Sequence, residues 1–161
     1  MNKIEEYKVF RPVSETPTGY TKLRCNLIFD TKLYGTRKAR LVADGSKSPQ
    51  FIDSYSSVIA PEHIRLSMVA AQINDLAMDT IDLGNAYLHA FTKEKAHTIL
   101  SDGYGDLSGK ILIIEKALYG MRTSGARFYE DLSETLLLLG FHPSKADPDL
   151  WMRKLDGCYE Y

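Results

Sequence analysis

Two hydrophobic rhythms divide the chain into elements. Between Thr21 and Asp30, Leu23, Cys25, Leu27 and Phe29 recur at every second position, the period of a half-buried strand. TKLYGT (31–36) is turn-like and RKARLVA (37–43) reads as the returning strand, so 21–43 is expected to form a β-hairpin. DGSKSPQ (44–50) is a breaker-rich loop. From Pro61 the spacing turns helical. Leu66, Val69, Ala70 and Ile73 follow i, i+3, i+4, i+7, and Pro61 suits a first helical turn. AMDTIDL (77–83) is short, apolar and carries a β-branched pair, which predicts a strand ended by Gly84, with NAYLHA (85–90) as a short helix.

KAHTIL (95–100) and KILIIEKAL (110–118) predict two more strands across the loop SDGYGDLSG. SGARFYEDLSETLLLLG (124–140) predicts a helix with Phe128, Leu132, Leu136 and Leu139 on one face, and Gly140 suits its stop. DLWMRK and GCYEY read as a final strand pair around LDG. Residues 1–20 show little periodicity and are expected to be an irregular lead-in arm. Strands and helices interleave with a hairpin at each end, so the expected fold class is α+β, with two main helices.

Composition narrows the class. At 44% hydrophobic over 161 residues the chain can bury a core, which excludes disorder for its bulk. Its two cysteines, Cys25 and Cys158, are too isolated for a disulfide framework or a zinc site, and a reducing, intracellular setting (cytoplasmic or nuclear) is expected. The charged N-terminus has no apolar core of a signal peptide, and no apolar run approaches membrane-spanning length, so no membrane partner is expected. Charge is uneven: residues 1–50 hold ten Lys/Arg against five Asp/Glu, and residues 51–161 hold ten against sixteen. The basic part suits a polyanion or equally an ordinary solvated face.

Among candidate chemical residues Asp82 is the sharpest. In a strand Asp79 and Asp82 would point to opposite faces and could not pair. Asp82 beside Gly84, where another group could approach closely, is open to two readings: a metal ligand, or a cap for the turn through NAYLHA. Asp147 and Asp149 flank Pro148 and suit a turn with an N-cap. His63, His89, His97 and His142 lack metal-ligand spacing. No Walker, Rossmann or G-x-S-x-G pattern is present.

Four blocks in order carry a resemblance: RKARLVADG (37–45), IDLGNAYLHAF (81–91), KALYGMRTSGARFYEDL (116–132) and ADPDLWMRK (146–154). Together they resemble a reverse transcriptase of the Ty1/copia retrotransposon type, from about Lys22 to Tyr161. The resemblance implies the fingers and partial palm of a right-handed polymerase over residues 21–161, and an RNA-directed DNA polymerase that uses two magnesium ions. By position it implies that Asp82 and the Leu83 carbonyl bind Mg²⁺. Lys38 and Arg40 would face the incoming dNTP's triphosphate, Asn85 and Ala86 would line its pocket, and Tyr87 would gate its sugar. Tyr119 and Gly120 would border the nucleotide, and Arg122 the RNA or DNA template-primer.

The sequence departs from that pattern in ways that bear on activity. The family's two further aspartates are adjacent, and this sequence contains no Asp-Asp pair. GCYEY resembles the strand that leads into their hairpin, so the chain is expected to be inactive alone and to expose a sheet edge open to self-association. A non-catalytic nucleic-acid-binding module, or a degenerate element remnant, is the alternative. Asp44 stands where the family usually has a basic residue.

Overall fold

A computed structural model of the chain describes residues 2–48 and 54–161. The α+β expectation holds. In chain order the elements are α1 (Asn2–Glu6), β1 (Phe10–Val13), β2 (Thr21–Lys22), β3 (Cys25–Thr31), β4 (Arg37–Ala43), α2 (Pro61–Ile73), β5 (Ala96–Ile99), β6 (Ile111–Ile114), α3 (Ser124–Leu138), β7 (His142–Pro143), β8 (Trp151–Leu155) and β9 (Cys158–Glu160). They group into two compact units. The first comprises residues 1–55 and 85–129, the second residues 56–84 and 130–161.

In the first unit the alternating segment closes into the expected hairpin. β3 and β4 pair antiparallel from Cys25↔Ala43 to Thr31↔Arg37, and the turn is tied by Lys32 N–H donating to the Thr36 carbonyl at 2.9 Å. Beside it lies a four-stranded sheet in the order β1-β6-β5-β2, with β2 parallel to β5 and the other pairs antiparallel. The lead-in is not irregular, contrary to the sequence expectation. Its Phe10–Val13 segment supplies an edge strand, and Val9 is fully buried among Leu23, Leu112, Ile114 and Leu118. Two prolines and weak periodicity hide this strand, because Pro12 sits on a sheet edge where its missing N–H costs nothing.

The base of the hairpin is locked to the turn that follows β6. Ala43 N–H donates to the Tyr119 carbonyl at 2.8 Å, and Val42 bridges Tyr119. Two glycines make the approach possible. A Cβ on Gly45 would lie 2.1 Å from the Gly120 carbonyl oxygen, and one on Gly120 would lie 2.0 Å from that of Ala43. Gly120 also holds φ +89 in a turn where Met121 N–H donates to the Leu118 carbonyl, a conformation L side chains rarely adopt. Gly84, expected to permit a close approach, has nothing within 4 Å of where a Cβ would stand.

In the second unit Pro61 takes the first turn of α2 as expected. The periodic positions, however, are largely uncovered: Leu66 and Ile73 are 64% and 77% exposed. Spacing predicts the helix, but not what packs on it. α3 ends in a Schellman pair at Gly140 (φ +85), whose N–H donates to the Leu137 carbonyl while Phe141 N–H donates to that of Leu136. β7, β8 and β9 form an antiparallel sheet in that order.

The predicted strand at 77–83 is absent: that stretch forms no ladder with any described residue, and Ile81 is 86% exposed. A strand exists only through a neighbour's hydrogen bonds. The opposite-face argument for Asp79 and Asp82 therefore has no strand to rest on.

Asp147 is the polar anchor of this unit. It is buried, and its Oδ1 accepts from Asp149 N–H at 2.9 Å across Pro148. Its Oδ2 accepts from the N–H of Ala60, the residue preceding α2, at 3.2 Å, and lies 2.6 Å from His63 Nδ1. Asp149 in turn accepts from the Ser57 hydroxyl at 2.8 Å. The turn reading of Asp147–Pro148–Asp149 is right, and the helix being served is α2, nearly ninety residues upstream.

Two outcomes follow. In denaturant unfolding, Gly120→Ala is expected to lose about 3 kcal/mol or more, since overpacking adds to positive-φ strain. Gly35→Ala (φ +76, with open space around it) should lose only about 1 kcal/mol, the strain alone. Asp147's carboxyl is held below the ordinary carboxylate range by the Asp149 N–H and then by His63. A lowered folded pKa stabilises above the unfolded value of about 3.9 and is lost as pH falls below it through the folded value. The urea midpoint should therefore drop below about pH 4, and Asp147→Asn should lower the midpoint at pH 7 and flatten that drop.

Candidate functional site

The first unit gathers several of the sequence-predicted residues around one cavity. β4 alternates its side chains, so Lys38 and Arg40 project from the same face. Both line a cavity of about 440 Å³, together with Asn85 and Tyr119. Lys38 is exposed. Arg40 is half-buried, and its Nη1 lies 3.7 Å from Asp30 Oδ2 on the partner strand.

The segment 85–91 reaches this place through its own local chemistry. Asn85 adopts a left-handed conformation (φ 56, ψ 38) before a 3₁₀ turn over Ala86–His89, a conformation asparagine tolerates better than most residues. The turn is pinned from behind. Ala117 N–H donates to the Ala90 carbonyl at 3.0 Å, Thr92 N–H to that of Glu115 at 2.9 Å, and Lys116 Nζ to that of His89 at 2.7 Å.

Leu88 of this turn is buried in the core. Tyr87 is thereby held with its ring 4.7 Å from Tyr119 and 6.3 Å from Phe128, centroid to centroid, distances at which aromatic pairs attract. Ala86 is half-buried beside it. Neither Ala86 nor Tyr87 lines the cavity, whereas Tyr119 touches both the cavity and the Tyr87 ring.

Arg122 and Gly120 belong to the turn that locks the hairpin. The Arg122 Nε donates to the Gly45 carbonyl at 3.2 Å, so the residue expected at a template contact also tethers the β4 base. Asp44, the acid where the family usually has a base, caps the short turn Gly45–Lys47 by accepting from Ser46 N–H at 3.1 Å. Hydrogen bonds with Ser46 hold its carboxyl below the ordinary range. An aspartate two residues ahead of a serine is the readable signal for such a cap.

Sequence reasoning missed Glu94 and Thr123. Buried Glu94 Oε1 accepts from the Thr123 N–H at 3.2 Å and hydroxyl at 2.7 Å, just before α3. Ser124 Oγ, the first residue of α3, donates to the Leu118 carbonyl. These bonds fix where α3 departs from the Tyr119 turn. No local pattern links Glu94 to a helix start twenty-nine residues later.

Asp82 and Leu83 lie in the second unit, both exposed, on the stretch that forms no ladder. Among the described residues, no three His, Cys, Asp or Glu side chains come together as a metal-holding group. A single exposed carboxylate does not fit a two-ion site, which needs donors bracketing two ions about 4 Å apart. The expected magnesium ligation is therefore not assembled by these residues.

Cys25 and Cys158 are free thiols, and burial pushes the Cys25 thiol up to about 11. No helix among the described residues is long and apolar enough to cross a membrane.

Comparison with known proteins gives these observations a family. The model of the reverse transcriptase (RNA-dependent DNA polymerase) family matches residues 7–158. The chain is 34% identical over 113 residues to the Transposon Ty1-DR4 Gag-Pol polyprotein of Saccharomyces cerevisiae (strain ATCC 204508 / S288c), covering 68% of this chain and 7% of that protein. It is equally identical, over the same length, to the Transposon Ty1-NL2 Gag-Pol polyprotein of the same strain, covering 6% of it. The chain thus spans less than a tenth of the length of these relatives. No solved structure matches it. The family match from Tyr7 to Cys158 takes in all four sequence blocks and both glycines of the hairpin lock, and the chain belongs to the reverse transcriptase family of the Ty1/copia type.

Proposed function

We propose that this chain supplies the nucleotide-binding part of the fingers and palm of a copia-like reverse transcriptase, within a polyprotein that performs template-directed DNA synthesis. The supporting observation is that Lys38, Arg40, Asn85 and Tyr119, drawn from three separate blocks, border one cavity. Two cations on one strand face are suited to a triphosphate, whose charge is offset best by fixed donors in a partly dry site. Tyr87 does not line the cavity, but its ring packs on Tyr119, which does, and the resemblance assigns it the gating of the sugar. Arg122 would border the template-primer.

The chemistry itself is not assigned to these residues, since no carboxylates among the described residues make a two-ion site. The chain is expected to bind dTTP without extending a primer. By isothermal titration, Lys38→Ala and Arg40→Ala should each weaken dTTP binding about tenfold, the loss of one charge-assisted contact. Tyr87→Ala should narrow the preference for dATP over ATP while leaving dATP bound. Template-dependent incorporation abolished by Asp82→Asn would overturn the inactivity, and undiminished dTTP binding by both cation variants would overturn the site.

A second reading, single-stranded nucleic-acid binding by the hairpin, is favoured by its tip. Phe29, Leu33 and Tyr34 are 76%, 94% and 92% exposed, among Lys32, Arg37 and Lys38. Exposed rings interleaved with cations offer stacking and phosphate contacts. Oligonucleotide affinity should then fall steeply with salt, and Tyr34→Ala should cost about 1–3 kcal/mol if one base stacks there. Binding indifferent to salt would exclude it.

A further inference from the structure

The cavity beside β4 has a floor that a nucleotide does not explain. Ile4, Phe10, Leu27, Leu88, Leu100 and Leu118 line it. Leu88, Leu100 and Leu118 are buried, and Ile4, Phe10 and Leu27 pack against the same core cluster. Among the described residues its charged lining side chains are all cations: Lys3, Lys38 and Arg40. Lys3 comes from α1, outside all four sequence blocks. It is held there because Val9 and Ile4 dock α1 onto the core and Val9 N–H donates to the Ile4 carbonyl at 3.0 Å.

The nearby acids do not cancel this asymmetry. Glu6 pairs with Lys3 at 2.9 Å and Asp30 with Arg40 at 3.7 Å, but neither acid lines the cavity. Lys38 stands opposite Asp30 in the strand register, but Asp30 makes its ion pair with Arg40.

We propose that this cavity is a binding site for a small amphipathic anion, an aromatic or aliphatic body carrying one carboxylate or sulfonate. A volume of about 440 Å³ lies within the range of small-molecule sites. The aliphatic part of the floor offers no hydrogen-bond partners, so polar groups are penalised against it, while Asn85, Tyr104 and Tyr119 are the lining residues that can bond to one. An apolar body meets no such penalty. Its anionic head would meet Lys38, Arg40 and Lys3, which line the same cavity. The site is specified by both kinds of lining together: the aliphatic residues favour an apolar body, and the cations select against neutral hydrocarbons. The inference does not rest on nucleotide binding, although the two ligands would compete for Lys38 and Arg40.

The test uses the whole chain with methyl-labelled Ile and Leu, titrated with 1-naphthalenesulfonate and observed by NMR. Methyl shifts at Ile4, Leu27, Leu88, Leu100 and Leu118 should saturate together. Neutral 1-naphthalenemethanol should bind about tenfold more weakly, as should the sulfonate to a Lys38→Ala/Arg40→Ala double variant. The neutral comparison needs no variant, so it stands even if the double variant fails to fold. Shifts confined to exposed Leu33, Leu66 and Ile73, or equal affinity for the neutral probe, would overturn the proposal. A dTTP arm separates the two readings. A silent sulfonate with dTTP bound removes this site and leaves the nucleotide reading, and the reverse result does the opposite.

Discussion

The first unit depends on one joint, the backbone of residues 43–45 packed against the backbone of Gly120. At about 2 Å from a carbonyl oxygen, no Cβ could be accommodated on Gly45 or Gly120, so the contact exists only because both residues lack one. It holds the base of the β3–β4 hairpin against the turn after β6 and brings the Ala43 N–H to the Tyr119 carbonyl. Everything proposed for the site is referred to that joint. The cations are on the strand that ends there, Tyr119 is in the turn that forms it, and Arg122 ties it from outside.

From the joint, short polar links pass outward alongside the buried packing of Leu88, Leu118 and Met121. Ser124 and Glu94–Thr123 fix the start of α3, and the 90–92 and 115–117 pairing fixes the 3₁₀ turn that carries Tyr87. Each link satisfies a backbone group that would otherwise be left without a partner at a helix or strand end. The Tyr87–Tyr119 ring pair is then a consequence of two backbones already in place.

The second unit is organised by a single carboxylate instead. Asp147 closes its own Pro148 turn and receives the start of α2, which joins two segments far apart in sequence. Around it much apolar surface stays uncovered, and residues 77–83, with Asp82, have no ladder. The contrast is chemical. A turn carboxylate finds its donors locally and at one helix end, whereas a strand and a two-ion site need partners that these residues do not supply.

The hairpin, both main helices, the α+β class and the four blocks were legible in the sequence, because alternation, i, i+3, i+4 spacing, Pro61 and Gly140 report local backbone preferences. Lys38, Arg40, Asn85 and Tyr119 were singled out by the resemblance, and the structure places all four around one cavity. The edge strand at Phe10–Val13, the Glu94–Thr123 bond, the Asp147 anchor and the apolar floor with Lys3 at its rim were not legible, since each is a meeting of residues distant in the chain. The strand expected at 77–83 fails for the same reason in reverse: its composition favours extension, but only a neighbouring strand could have made it one. Local sequence determined which conformations each segment prefers. Tertiary structure decided which of them found partners, because hydrogen-bond ladders, close approaches and cavities are properties of pairs of segments.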